Sequence, residues 1–126
     1  MSVAHPPAID TSYLERLREE LQDDDPDSGD AIAELMGLFV KNSARLEAEF
    51  NEALDLGDLD ALADSAHQLV SASAWIGALR LSGIARLVED EARRGVFASA
   101  QTAVAAAVEE ISRVRQALER LEAAPR

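Results

Sequence analysis

The chain has 126 residues, of which 48% are hydrophobic, and a formal net charge of −12 at pH 7. This length is typical of one domain, and such an acidic chain would be repelled by nucleic-acid backbones and anionic membranes, so neither is expected as a partner. The absence of cysteine excludes disulfides and thiolate metal sites and fits a reducing cytoplasm. The first ten residues lack the features of a signal peptide, and no apolar run approaches the ~18 residues that cross a bilayer.

Hydrophobic residues recur at three- and four-residue steps along most of the chain, which predicts an all-α protein. Residues 1–9 are interpreted as a disordered tail because their prolines cannot enter a helix. A single bundle domain is predicted over 10–122, followed by a frayed tail over 123–126. The predicted helices are a short N-terminal lead-in helix over about 11–22 and four long helices over about 30–56, 59–75, 78–94 and 97–122. Since short connections join the long helices, we expect an antiparallel up-down-up-down four-helix bundle.

The acidic segment QDDDPDSG, between the first two predicted helices, has two interpretations. Asp23, Asp25 and Asp27 alternate as in a calcium-binding loop. However, Ser28 stands where such a loop needs glycine, and Pro26 interrupts it. A solvated linker that caps the next helix is the favoured interpretation.

Three residues are expected to mark the ends of the third helix. Asp58 is a candidate N-cap, and Gly77 is expected to stop the helix. Trp75, beside that stop, is interpreted as a packing residue that closes one end of the bundle, with contact to a partner as the alternative.

His67 lies in the third predicted helix, one position after Ala66, which belongs to the buried stripe. One position corresponds to a rotation of about 100°, so the imidazole is expected at the edge of the stripe or in water. Its neighbours on the helix surface all have short side chains and are Ala63, Asp64, Val70, Ser71 and Ala74. The pattern therefore indicates a nucleophile on a smooth surface. A lone helical histidine is nevertheless more often a partly exposed residue without a role.

Residues 63–90 carry an ordered set of small, apolar and acidic positions around this histidine: Ala66, His67, Leu69, Ser73, Gly77, Ala78, Leu81, Ala85, Val88 and Glu89. Their spacing resembles the signature of the histidine-containing phosphotransfer (HPt) domain family, and the resemblance extends over about 30–95. Two positions depart from the pattern, because the family usually has lysine and then glycine where this chain has Val70 and Ser71.

The resemblance implies that His67 accepts a phosphoryl group from a receiver aspartyl phosphate and passes it to another receiver aspartate. Imidazole suits this role, since its ordinary pKa near ~6.5 leaves it largely neutral and nucleophilic at neutral pH. The carboxylates and Mg²⁺ are expected on the receiver domain, so the chain is expected to have no cofactor of its own. It has no nucleotide-binding loop, which argues against an ATP-dependent kinase activity.

Val70 cannot pair with a phosphate as the usual lysine can. Arg86 and Arg93 are candidates to replace that charge, because a guanidinium suits phosphate oxygens. If the turn after the third helix is centred near residues 76–77, Arg86 lies level with His67 and shares a face with Glu89 and Arg93.

The remaining expectations concern the surface around the histidine. Ser71 is small enough to let a partner approach, and docking contacts are expected from Asp64, Ala63, Ala74 and Glu89. A metal site is not expected, since Asp64 and His67 form only one carboxylate–histidine pair at the spacing that a di-iron bundle needs twice.

The implied partners are response-regulator receiver domains or a hybrid histidine kinase, in the cytoplasm. The alternative is a degenerate HPt-like module that docks a receiver or another partner without phosphotransfer. The histidine favours the first interpretation, and the missing lysine favours the second.

Overall fold

A computed structural model describes residues 7–24 and 31–123. Its helices are α1 (Thr11–Asp24), α2 (Ala31–Leu56), α3 (Leu59–Trp75), α4 (Leu79–Arg93) and α5 (Phe97–Ala123). Within these ranges all regular structure is helical, which confirms the all-α prediction. None of the described helices is long and apolar enough to cross a membrane. The acidic segment at 25–30, on which the calcium and linker interpretations depend, lies outside the described residues, as do 1–6 and 124–126.

The four long helices pack in chain order, and α2 also contacts α5, so that they enclose one core. Helix α3 runs antiparallel to α2 and to α4, as pairs of contacts with each show. Ser65 of α3 contacts Glu49 of α2, whereas Gln68, further along α3, contacts Arg45, which lies earlier in α2. The lead-in helix α1 packs against α2.

The inner faces of the long helices form a continuous apolar core. Its fully buried large side chains include Leu46, Phe50, Leu62, Leu69, Leu81, Val88, Ile111 and Val114. Burying a side chain of this size contributes roughly 1.5–3 kcal/mol. Because α3 places leucines at positions 62 and 69 in this core, its rotation is fixed, and with it the direction of every residue on its outer face.

A charge cluster fixes α4 against α5. The Glu110 carboxylate of α5 is buried and pairs through one oxygen with Arg80 of α4 at 3.3 Å and with Arg113 at 2.8 Å. Removing one partner of a buried ion pair is costly because the other charge stays desolvated. The cluster therefore ties α4 to its position along the bundle.

The ends of α3 follow the sequence signals. The side chain of Asp58 accepts a hydrogen bond from the Ala61 N–H at 3.0 Å, which is an N-cap. At the other end Gly77 has a φ of +79°, a backbone conformation that favours glycine. The three-residue connection between α3 and α4 makes these two helices a tight hairpin.

The N-terminal segment corrects one prediction. Ala8 and Ile9 are buried, although residues 1–9 were expected to form a tail. The reason is a backbone hydrogen bond of 2.9 Å from Asp10 N–H to the Gly77 carbonyl, which ties the segment to the α3–α4 turn. Pro7 disfavours a helix there, but it does not prevent a non-helical segment from packing against the bundle.

Trp75 also differs from its prediction. It was expected to pack into the end of the bundle, but 64% of it is exposed. The next residue, Ile76, is buried instead, and one step along a helix turns a side chain by about 100°. The core therefore takes Ile76 and leaves the indole on the surface.

Candidate functional site

His67 stands on the outer face of α3, and 67% of its side chain is exposed. Ala66 and Leu69, on either side of it in the sequence, are completely buried. The ring therefore points away from the core, as its position one residue after Ala66 predicted.

The imidazole has one close partner, which belongs to α4. Nδ1 of His67 lies 3.0 Å from Oε2 of Glu89. The same oxygen accepts hydrogen bonds from Arg93, at 2.9 Å from Nη2 and 3.2 Å from Nε. Only 15% of the Glu89 side chain is exposed, so the carboxylate is more confined than the ring it contacts.

The charge state of Glu89 determines which ring nitrogen carries the proton. Burial alone would raise the pKa of Glu89, but the hydrogen bond from Arg93, the charges of His67 and Arg93 and the hydrogen bond from His67 together hold that pKa below its ordinary value. An ionised carboxylate can only accept a hydrogen bond, so Nδ1 must be the protonated nitrogen of the ring. The lone pair of a neutral imidazole then lies on Nε2, which has no hydrogen-bond partner within the described ranges.

The sequence places Arg86 level with His67, but the side chain that contacts the ring is that of Glu89, three residues further along α4. Helical side chains lean toward the N-terminus of their own helix. In an antiparallel pair the side chains of the two helices therefore tilt in opposite directions. As a result, the His67 ring meets a residue further along α4 than a count of Cα positions suggests. Arg86 is exposed and makes no ion pair or hydrogen bond with the described part of the chain.

The surroundings of His67 on α3 match the expectation in part. Asp64, Ser71 and Ala74 are exposed beside it. Ala63 was expected to contact a partner, but it is 1% exposed and cannot do so. Ala63 lies one turn before His67, on the side of α3 where His67 and Val70 contact α4.

Val70, where the resemblance suggested a lysine, is half-buried against the core. Its carbonyl accepts a hydrogen bond of 2.9 Å from Ser82 Oγ of α4, so this point is also part of the α3–α4 contact. An apolar side chain is consistent with that packing.

The sequence did not indicate the polar network on the α2 side of His67. Arg45 of α2 donates to Gln68 at 3.1 Å and to Asn42 at 2.6 Å, and it pairs with Glu49 at 3.0 Å. The spacing of Arg45 and Glu49 is a visible i,i+4 signal, but the contact with Gln68 depends on the packing of α2 against α3. The network places a cation next to the residue that follows His67.

A surface groove of about 500 Å³ adjoins this network. Its walls come from α1, α2 and the end of α3 and are mainly apolar, and Leu38 and Trp75 are exposed there. Lys41 and Arg45 also line it. The groove therefore lies next to the histidine face, on the side away from Glu89.

These groups define what the site can do chemically. A neutral imidazole with a fixed Nδ1–H and an open Nε2 is a nucleophile that another protein can reach. Within the described residues no cluster of histidine or carboxylate side chains could hold a metal ion. The site therefore presents a nucleophile with an orienting carboxylate.

Comparisons with known proteins show which proteins this chain is similar to. The model of the Hpt domain family matches residues 34–124. The crystal structure of histidine-containing phosphotransfer protein B (HptB) from Pseudomonas aeruginosa PAO1 is similar, with a TM-score of 0.82 and 27% sequence identity. The alignment covers 97% of this chain and 100% of that one. No curated protein sequence matches.

Proposed function

Since the chain belongs to the Hpt domain family, we propose that His67 is the residue through which it carries phosphoryl groups, taking them from a receiver aspartyl phosphate and giving them to another receiver aspartate. The protein is a histidine phosphotransfer protein of a phosphorelay. The observation that carries the assignment of His67 is its exposed ring, whose Nδ1 is engaged by Glu89 while Nε2 is open.

The transfer step follows from the tautomer. The lone pair of Nε2 attacks phosphorus, the bond between phosphorus and the aspartyl oxygen breaks, and the receiver carboxylate leaves with its electron pair. The ring keeps its proton on Nδ1 and becomes a phosphoimidazolium, whose positive charge faces Glu89. The reverse step returns a neutral imidazole, which is a good leaving group. Mg²⁺ belongs to the receiver in this proposal, and this chain supplies the nucleophile and the docking surface.

The receiver is proposed to dock over His67 and the adjoining apolar groove. Exposed Asp64, Ser71 and Ala74 leave the ring open to an approaching protein. Arg45 connects the groove to the histidine face, because it lines the groove and contacts Gln68, the residue after His67. Its charge complements the acidic, phosphorylated pocket that a receiver would bring.

Arg86 is the proposed replacement for the usual lysine. It is exposed, lies one turn before Glu89 on α4 and makes no ion pair within the described ranges, so its guanidinium is available to phosphoryl oxygens. Arg93, the other candidate, already pairs with Glu89. A module that docks a receiver without phosphotransfer is the second candidate, and the half-buried Val70 in place of lysine is the observation that favours it.

Acid and alkali stability of the label separates these candidates. The protein is incubated with a receiver carrying labelled aspartyl phosphate and with Mg²⁺. Phosphohistidine is expected as label that survives alkali and is lost in acid. His67→Gln should abolish it, and His5→Gln, which changes the chain's other histidine, should not. A wild-type protein that binds the receiver but takes no label would favour the docking module.

A further inference from the structure

We infer that Arg93 is a positioning residue that acts through Glu89, holding the carboxylate that orients the His67 ring. The inference rests on the proposed function, in which Nε2 of His67 receives the phosphoryl group. It differs from the expectation that Arg93 pairs with the phosphoryl group directly.

The contacts of Arg93 all converge on one atom. Its Nη2 and Nε donate to Oε2 of Glu89 at 2.9 and 3.2 Å, and this is the oxygen that His67 Nδ1 contacts at 3.0 Å. The guanidinium, the carboxylate and the imidazole therefore form one chain of hydrogen bonds. Arg93 and Glu89 are four residues apart on α4, so the helix itself brings them together.

The position of Arg93 argues against direct contact with the phosphoryl group. Arg93 binds the carboxylate on the Nδ1 side of the ring, whereas the phosphoryl group would be attached at Nε2. To reach that group, Arg93 would have to leave Glu89, and the carboxylate would then lose two of its three hydrogen bonds. The arrangement is consistent with a fixed pair and not with a mobile cation.

The ion pair also resolves an electrostatic conflict. A carboxylate is the acceptor that fixes the Nδ1–H tautomer, but an uncompensated negative charge beside the nucleophile would repel a phosphoryl group. Paired with Arg93, Glu89 provides the same acceptor with almost no net charge. Transfer should therefore depend on the pair and not on either residue alone.

A double-mutant cycle on transfer from a phosphorylated receiver tests the inference. Arg93→Gln is expected to lower the transfer rate about three- to fivefold, the effect of losing one exposed charged hydrogen-bonded pair. Arg93→Lys, which keeps the charge, should restore most of the rate. In a Glu89→Gln background Arg93→Gln should have almost no further effect. Arg94→Gln is the matched control, because Arg94 is the next residue but pairs with Glu91. An equal loss from Arg93→Gln in both backgrounds would show direct phosphate contact and overturn the inference.

A measurement on the unphosphorylated protein separates this inference from the proposed function. The ¹⁵N chemical shifts of a labelled histidine ring report which nitrogen carries the proton. The wild type should show mainly the Nδ1–H tautomer at His67, and both Arg93→Gln and Glu89→Ala should reduce its share. If Arg93→Gln leaves the tautomer unchanged, the inference is wrong whether or not phosphotransfer occurs. If the tautomer responds but no protein takes label, the proposed function is wrong and the positioning role stands.

Discussion

Replacing Gly77 with alanine should weaken the turn that sets the register of α3 against α4. Gly77 has a φ of +79°, and its carbonyl accepts the hydrogen bond from Asp10 N–H that ties the N-terminal segment to the bundle. A Cβ at this position would lie 3.0 Å from the ring carbon Cδ1 of Tyr13 and 3.4 Å from the Asp10 carbonyl oxygen. The alanine would therefore meet an unfavourable backbone conformation and a crowded space together.

The expected cost is the sum of opposing effects. An L-residue in this left-handed region costs roughly 1–2 kcal/mol, and displacing the half-buried Tyr13 ring adds to that cost. Restricting the unfolded chain offsets about 0.4–1 kcal/mol. At the middle of these ranges, and with roughly 1 kcal/mol for moving the Tyr13 ring, Gly77→Ala should lower the free energy of unfolding by about 1–2 kcal/mol.

Urea denaturation provides both the assay and its control. With an m value of about 2 kcal/mol/M, Gly77→Ala should lower the urea midpoint by about 0.5–1 M without changing m. Gly83→Ala is the matched control, since Gly83 lies inside α4 and a Cβ there would meet no atom within 4 Å. It should raise the free energy of unfolding by about 0.5–1 kcal/mol. A Gly77→Ala protein as stable as the wild type would refute the reasoning about this turn.

Three further predictions concern the site. Val70→Lys should speed phosphotransfer about threefold in rate assays. It should cost less than ~1 kcal/mol of stability in urea denaturation, because a lysine stem can lie along a half-buried position while its charge reaches solvent. An unchanged rate would count against a role for the missing charge. Trp75→Ala should weaken receiver binding about tenfold, measured by calorimetry. It should shift the free energy of unfolding by less than ~0.5 kcal/mol, since the indole is mostly exposed. An unaltered affinity would show that the groove is not part of the docking surface. The pKa of Glu89 is lowered because its hydrogen bonds and neighbouring charges outweigh burial, which would raise it, so its stabilising effect should be present above the unfolded pKa and lost as pH falls through the folded one. The wild-type advantage over Glu89→Gln in the free energy of unfolding should thus be present above about pH 5 and shrink below about pH 4.5. An advantage that keeps its value at about pH 6 down to about pH 3 would contradict this.

The sequence predicts the helices well because their signals are local. Asp58 caps α3 and Gly77 lies just after the end of that helix, as predicted. The outward direction of His67 followed from its position next to Ala66. A helical period and a cap depend on residues within one or two turns, so a single sequence contains enough information to place them.

The differences arise where segments that are distant in sequence meet. The contact between His67 and Glu89 depends on the lean of side chains in opposite directions, and the burial of Ala63 depends on which side of α3 is covered by α4. Ala8 is buried because a distant turn binds the neighbouring backbone. None of these contacts has a local sequence signal, although Glu89 and Arg93 at four-residue spacing did indicate that they share a face.

The most direct test of the proposed chemistry is to determine which ring nitrogen carries the phosphoryl group. The protein is labelled with ¹⁵N-histidine and phosphorylated by its receiver, and the coupling between ³¹P and the ring nitrogens is measured. We expect the phosphoryl group on Nε2 of His67, with Nδ1 still protonated and facing Glu89. A phosphoryl group on Nδ1, or on a residue other than His67, would contradict the assignment.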